Sequence, residues 1–162
     1  MGEALKKWLK MSKDLPVREE VGLNLRVAVA LLDSKFDKQI EPFGITTAQY
    51  NVLRILKGVY PEGHARCAIA TRMVERASDV TRIIDRLEKQ GLVERDRTNE
   101  DRRISITRIT EKGIEILNKL KKIVKEEHKI HTKNLSEEEC KQLSVLLEKL
   151  YEKKKKKKFN II

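Results

Sequence analysis

The chain has 162 residues, a formal net charge of +11, 38% charged residues and only 4% aromatic residues. This length suits one compact domain, or one lobe with helices that need a partner, and the low aromatic content argues against a single aromatic-rich core. Long amphipathic helices that bury their apolar faces against each other or against a second subunit are favoured instead, and the positive charge favours a polyanionic partner.

Several classes of protein are excluded by what the sequence lacks. No apolar run approaches the roughly 18 to 20 residues of a membrane span. The first eight residues lack the apolar core of a signal peptide, so we expect a cytoplasmic protein. Because there is no phosphate-binding glycine loop, glycine-flanked nucleophile or His/Cys/Asp cluster at metal spacing, we predict no enzyme, no cofactor and no metal site.

The first half of the chain predicts two helices. Apolar residues recur every three or four positions over residues 17–40, which predicts a long first helix that Pro42 and Gly44 end. Thr46 and Gln49 then have the spacing of a capping box, so a second helix begins there. Its buried side is predicted to consist of Tyr50, Leu53, Ile55 and Leu56.

A helix-turn-helix is predicted next, with a third helix over residues 65–73 and a fourth after the turn at 74–77. In the fourth helix Val80, Ile83, Ile84 and Leu87 form one narrow apolar stripe that would dock on a core. Either Ser78 or Asp79 can cap its first turn, and Gly91 stands where helices usually stop in a left-handed conformation.

The opposite face of this fourth helix can reach outward. Arginine forks pair with guanine, and hydroxyls reach phosphates or base edges, so its side chains suit DNA. The ordinary alternative is a solvated face held by Asp79–Arg82 and Asp85–Lys89 ion pairs. The face comprises Ser78, Thr81, Arg82, Asp85 and Lys89, flanked by Asp79, Arg86 and Glu88.

Two short strands follow at residues 92–97 and 104–109, joined by the polar loop 98–103, which completes the pattern of a winged helix. After this wing, Thr110 is expected to cap a helix that runs to about residue 133. Ser136 and Glu139 form a second capping box. The last helix carries a heptad-like apolar seam that needs a partner helix: Cys140, Leu143, Leu147 and Leu150.

These segments, in this order, resemble the MarR family of transcription regulators. The resemblance rests on residues 46–53, 80–95, 101–103 and 109–113. It implies a mainly α fold with a small β-wing. It also implies an N-terminal dimerisation helix region at 1–44, a winged helix-turn-helix DNA-binding lobe at 45–110, and C-terminal dimerisation helices with a lysine-rich tail at 111–162.

The function that the resemblance implies is sequence-specific binding of double-stranded DNA by a homodimeric, ligand-responsive repressor. Two recognition helices about 34 to 36 Å apart would read a pseudo-palindromic operator. Arg82 is the leading candidate for base readout, and Arg102 or Arg103 could enter a minor groove with Asp101 as their orienter. The full set of candidate DNA contacts is Ser78, Asp79, Thr81, Arg82, Arg86, Arg97, Arg102 and Arg103.

Regulation leaves more alternatives open. The resemblance implies a small aromatic or anionic effector, which could lie near Trp8, Phe36, Phe43 and Tyr50, although apolar residues at helical spacing are more often plain core. Cys67, beside Arg66, is the better candidate for a redox switch, whereas Cys140 reads as packing. His128 and His131 lack a third ligand and are expected to be solvated.

Two other interpretations concern the charge of the chain. The lysines at 153–158 form either a sequence-blind phosphate anchor or a solubilising tail. If charge rather than base readout dominates, the protein is instead a sequence-indifferent architectural DNA-binding protein. Specificity separates the two, because a regulator prefers its operator over random DNA by roughly a thousandfold or more.

Overall fold

The structure, a computed structural model, describes residues 1–74, 79–96 and 105–152. Met1–Val124 forms one compact unit, and a second begins at Lys125, within a long helix. The described residues are mainly helical with one small sheet, as predicted. In chain order the elements are α1 (Glu3–Leu9), α2 (Val17–Ile40), a 3-10 turn (Glu41–Phe43), α3 (Thr47–Lys57), β1 (His64–Ala65), α4 (Arg66–Arg72), α5 (Val80–Lys89), β2 (Val93–Asp96), β3 (Ile106–Ile109), α6 (Glu111–His131) and α7 (Glu137–Tyr151).

The end of α2 and the start of α3 lie where local signals predict them. Pro42 lies within the 3-10 turn that follows α2, and Gly44 has a φ of 69°, which glycine adopts without strain. At the start of α3, Gln49 N–H donates to Thr46 Oγ1 at 3.3 Å, and Thr46 N–H donates to Gln49 Oε1 at 2.9 Å. The predicted capping box is therefore present.

The core of the first unit lies among α3, α4, α5, the sheet and the first half of α6. Its apolar side chains come from each of these elements. Tyr50 and Ile55, both predicted on the buried side of α3, are only partly buried. The buried members include Val52, Leu53, Leu56, Ile69, Val80, Ile84, Leu87, Leu92, Ile109, Leu117 and Leu120. This shared core fixes the helix-turn-helix against the wing strands.

The sheet has three antiparallel strands in the order β1-β3-β2. Strands β2 and β3 lie within the predicted ranges, with Val93 opposite Ile109 and Asp96 opposite Ile106. Strand β1 was not predicted, because two residues are too short for any alternation of apolar and polar side chains to show. Residues 97–104, which include the predicted wing loop, lie outside the described ranges.

Gly91 ends α5 as its position predicts. Its φ is 70°, its N–H donates to the Glu88 carbonyl at 2.9 Å, and the Leu92 N–H donates to the Leu87 carbonyl at 2.9 Å. These two bonds make a Schellman motif, which satisfies carbonyls that the helix end leaves free. The chain therefore turns from α5 directly into β2.

The C-terminal helices also follow their caps. Thr110 Oγ1 accepts from the Gly113 N–H at 3.2 Å as α6 begins, and α6 ends at His131, two residues before the predicted end. Ser136 and Glu139 form the predicted capping box of α7. No residue of α7 is buried within the described chain. None of the helices in the described ranges has both the length and the apolar character needed to cross a membrane.

Candidate nucleic-acid interface

Helix α5 divides cleanly into a packed face and an exposed face. Val80, Ile84 and Leu87 are buried in the core, and Ile83 is partly buried against it, so the predicted apolar stripe is confirmed. Four polar side chains of the other face are exposed, namely Thr81, Arg82, Arg86 and Lys89. The exposed face offers a hydroxyl and three cations, which are groups that contact phosphates and base edges.

Asp79 caps α5 and pairs with its first arginine. Its Oδ1 accepts the Arg82 N–H at 3.1 Å, and its Oδ2 lies 2.8 Å from Arg82 Nε. Of the two predicted caps, Asp79 therefore has the role, while Ser78 lies outside the described residues. The Arg82 side chain remains 79% exposed. Its capped backbone and oriented guanidinium leave the terminal amino groups accessible to a ligand.

Of the two ion pairs in the solvated-face alternative, Asp79–Arg82 is present, but Asp85 of α5 does not pair with Lys89. The Asp85 carboxylate instead bonds Arg95, whose other terminal nitrogen lies 3.6 Å from Glu88 Oε2. Arg95 comes from β2, which the Gly91 turn carries back along α5. A guanidinium fork held between two carboxylates makes a stronger and less exposed pair than a lysine on the helix surface.

The stem of the wing has an ion pair of its own. Arg108 Nη1 of β3 lies 2.9 Å from Asp96 Oδ2 at the end of β2, and both side chains are partly buried. The remaining predicted wing residues lie outside the described ranges: Arg97, Asp101, Arg102 and Arg103. Their candidate roles therefore stay predictions.

The C-terminal end of α5 is fixed by a contact that sequence reasoning missed. Gln90 Nε2 donates to the Gly44 carbonyl at 2.8 Å, and Gln90 Oε1 accepts from Gln49 Nε2 at 3.2 Å. Lys112 Nζ also donates to the Gln90 carbonyl at 2.8 Å. These bonds link α5 to α3 and α6. No local signal indicates them, because the partners are distant in sequence.

The candidate redox and metal-binding residues lie in different surroundings. Cys67 is exposed on α4 and Cys140 is half-buried on α7; neither forms a disulfide. His128 is exposed, but His131 is not solvated as expected: its side chain is 13% exposed and lies 3.2 Å from Glu127. In the described parts of the chain, no three His, Cys, Asp or Glu residues form a metal-binding group. The lysines at 153–158 lie outside those parts.

Three of the four candidate effector aromatics are partly buried and pack against the core. Phe36 of α2 and Tyr50 of α3 pack edge to face with ring centroids 5.2 Å apart, and both contact the core, as Phe43 does. Arg54 lies 5.9 Å from the Tyr50 ring, and burial raises the pKa of the Tyr50 phenol. Trp8 is exposed on α1. Packing against the core accounts for the partial burial of Phe36, Phe43 and Tyr50 without a bound ligand.

Comparison with known proteins gives one consistent result. The sequence model of the MarR family matches residues 45–105. A MarR transcription factor from Planctomyces limnophilus has a crystal structure with 34% sequence identity and a TM-score of 0.66, over 85% of this chain and 98% of that one. The S. aureus MepR–DNA complex gives 26% identity and a TM-score of 0.72, over 80% and 94%.

A relative of similar sequence is also a transcription regulator. The HTH-type transcriptional repressor IacR of Pseudomonas putida is 29% identical over 83 residues, which are 51% of this chain and 50% of IacR. The aligned part therefore spans about half the length of that repressor.

Proposed function

Because this chain belongs to the MarR family of winged-helix, DNA-binding transcription regulators, we propose that it reads a specific operator through the exposed face of α5. The relatives are transcription regulators, so the chain is not an enzyme. We place this regulator in the cytoplasm, where it reaches its DNA.

The observation that carries the proposal is the two-sided character of α5. Its apolar stripe fixes the helix to the core, while Arg82 and Arg86 stay exposed on a helix whose start and end are both capped. We assign Arg82 to direct readout of a guanine through its terminal amino groups, and Ser78, Thr81 and Arg86 to groove and phosphate contacts. Asp79 orients Arg82.

The wing supplies the second DNA contact in this proposal. Arg102 or Arg103 enters the adjacent minor groove, with Asp101 as orienter, and Arg97 binds phosphate. Support comes from the charge of these side chains and from the ion-paired stem that leads to them, where Asp96 and Arg108 connect the strands.

We further propose a homodimer built by residues 1–44 and 111–162. Helix α7 supports this, because its apolar residues have no buried position in the described chain: Leu143, Val145, Leu146, Leu150 and Tyr151 are all exposed. Helix α2 likewise exposes Val21, Val29, Leu31 and Leu32. Patches of this kind usually mark protein interfaces. A two-fold dimer would present two α5 helices to the half-sites of a pseudo-palindrome.

Repression is the mode of action that we propose, since the relative IacR is named as a repressor. A small aromatic or anionic effector would release the operator if it binds more tightly to a spacing of the two recognition helices that does not fit DNA. Footprinting of the selected sites tests this mode, because a repressor site overlaps a promoter and a site well away from promoters contradicts repression.

The test of operator recognition is selection of bound fragments from the source genome at physiological salt. Three proteins are compared: the native chain, Arg82→Ala, and Lys89→Ala as a matched control that removes an exposed cation from the same helix. The native chain and the control should select one pseudo-palindrome, and Arg82→Ala should lose it while keeping weak general affinity. Loss of one arginine–guanine contact corresponds to about 1–3 kcal/mol at that base pair.

Two outcomes would contradict this proposal. If all three proteins bind DNA without a motif, the sequence-indifferent architectural function replaces it. If the motif survives Arg82→Ala unchanged, Arg82 is not the base reader.

A redox response through Cys67 is tested by the same selection in peroxide. If Cys67 senses oxidation, peroxide should abolish selection of the motif by the native chain but not by Cys67→Ser.

The dimer is tested by sedimentation of Leu146→Glu and of Lys149→Glu, an exposed neighbour on the same helix. A charge at Leu146 should convert a dimer into monomers, because an unpaired carboxylate in an apolar interface is costly. Lys149→Glu should leave the dimer intact. A native chain that sediments as a monomer at micromolar concentration would contradict the proposal.

A further inference from the structure

We infer that Arg95 is a positioning residue for DNA recognition, which acts by neutralising and holding the Asp85 carboxylate on the DNA-facing side of α5. This inference rests on the proposed use of α5 as the recognition helix. It concerns a strand residue that none of the candidate DNA contacts includes.

The Arg95 side chain is largely buried between its two carboxylate partners. Its guanidinium bonds Asp85 and lies 3.6 Å from Glu88, and only 18% of the side chain is exposed. The Asp85 side chain, by contrast, is 44% exposed. Arg95 is therefore too enclosed to leave its partners for a phosphate, while the carboxylate it holds still borders the exposed surface of α5.

The position of Asp85 explains why its charge matters. It directly precedes Arg86, and it follows Arg82 by three residues, so it lies on the helix beside the two arginines proposed to contact DNA. A free carboxylate there would repel the phosphates that approach this surface. It would also compete for the Arg82 guanidinium, because residues three apart on a helix are neighbours.

The attachment of Arg95 to the wing stem makes the hold rigid. In the sheet, Arg95 of β2 lies opposite Thr107 of β3, and the next residue, Asp96, pairs with Arg108. Thr107 is buried, so this part of the strand pair cannot shift freely. A planar fork with two donor ends can reach both Asp85 and Glu88, whereas the single ammonium of a lysine is a point charge.

The inference predicts how substitutions of Arg95 and Asp85 combine in their effect on DNA binding. If Arg95 acts by masking Asp85, then removal of the Asp85 charge should make Arg95 dispensable for DNA binding. If Arg95 contributes only packing or stability, removal of Asp85 should restore nothing. The two roles are therefore separated by whether the double variant recovers binding.

The experiment measures binding of a selected operator duplex by fluorescence anisotropy for Arg95→Gln, Asp85→Asn and the double variant. Arg95→Gln should weaken binding by about tenfold or more, the scale of a close charge pair on a helix that contacts DNA. Asp85→Asn should stay within about threefold of the native chain, and the double variant should recover to about the same level.

Three results would overturn the inference. Binding by Arg95→Gln that equals native binding removes any role, and a double variant as weak as Arg95→Gln, or weaker, assigns Arg95 to structure alone. Should Arg95→Gln fail to fold, as circular dichroism would show, the comparison moves to Arg95→Met, which keeps a long side chain without the charge, with and without Asp85→Asn. Recovery by Asp85→Asn is then still required, and its absence overturns the inference.

Arg82→Ala, measured on the same duplex, keeps this test distinct from the proposed function. If Arg82→Ala binds as the native chain does, the assignment of α5 as reader fails. If Arg82→Ala loses the operator but Arg95→Gln does not, only the masking role of Arg95 fails.

Discussion

Both carboxylate oxygens of Asp79 contact Arg82: Oδ1 accepts a hydrogen bond from its backbone N–H at 3.1 Å, and Oδ2 lies 2.8 Å from its Nε. The first contact caps the helix, and the second sets the direction of the guanidinium. Because Nε is the nitrogen engaged, both terminal amino groups of Arg82 can face a guanine. One aspartate therefore joins the stability of α5 to its proposed recognition.

Replacement of Asp79 by serine should separate these two roles. Serine caps helices as well as aspartate does, but it is too short to reach Nε, so the free energy of unfolding should change by less than about 1 kcal/mol. Operator affinity should fall by up to about fivefold, the factor that corresponds to an exposed ion pair. Anisotropy titration and urea unfolding measure the two quantities.

The control for Asp79→Ser is the Arg82→Ala background, where the orienting role has nothing to orient. Asp79→Ser should cause no further loss of operator affinity there. An equal loss in both backgrounds would show that Asp79 acts on DNA binding by another route.

Gln49→Ala should destabilise the first unit. Gln49 is 5% exposed, completes the Thr46 capping box and donates to Gln90, so alanine removes one cap partner and one interhelical bond. We expect a loss of about 1–3 kcal/mol in the free energy of unfolding, measured in urea. Gln142→Ala, an exposed glutamine of α7, should stay within about 0.5 kcal/mol. Equal effects of the two variants would contradict the role assigned to Gln49.

Two glycines within helices should respond to alanine in opposite directions. A Cβ on Gly113 would overlap the Leu92 carbonyl oxygen, so backbone must move, and we expect a loss of about 1–3 kcal/mol in stability. A Cβ on Gly22 in α2 would meet nothing within 4 Å, and alanine there should add about 0.5–1 kcal/mol. Thermal unfolding measures both. A neutral or stabilising Gly113→Ala would show that α6 does not pack closely against the Leu92 backbone.

The acid sensitivity of α7 should depend on Glu139. The backbone N–H and the hydroxyl of Ser136 donate to its carboxylate, which lowers the pKa of Glu139 below its ordinary value of 4.5. A lowered pKa in the folded state means that the stabilisation is present above 4.5 and is lost as pH falls through the folded-state pKa. The advantage of the native chain over Glu139→Gln should therefore shrink in acid.

Helicity of the native chain and Glu139→Gln, followed in urea by circular dichroism, measures this advantage at neutral and acid pH. Glu137→Gln, at a first-turn position without a bond to Ser136, is the control and should give a smaller change with pH. A difference between native and Glu139→Gln that grows in acid would contradict the expected direction of the effect.

Local signals in the sequence determined where the helices begin and end and which face of α5 is buried. The Thr46–Gln49 and Ser136–Glu139 capping boxes and the Gly91 stop were predicted correctly, since each depends on backbone groups within a few residues. Apolar spacing likewise predicted the buried stripe of α5, because the helical period alone decides which side chains share a face.

Tertiary structure decided how charged and polar groups pair. The i,i+4 spacing on the helix indicates an Asp85–Lys89 ion pair. The structure instead brings Arg95 of β2 against Asp85 and Glu88, and a guanidinium held between two carboxylates forms a stronger pair than a solvated lysine. The Gln49–Gln90 contact was missed for the same reason: the two residues lie 41 positions apart along the chain, and only the packed core brings them together. Strand β1 was missed because its two residues are too short to show an alternating pattern.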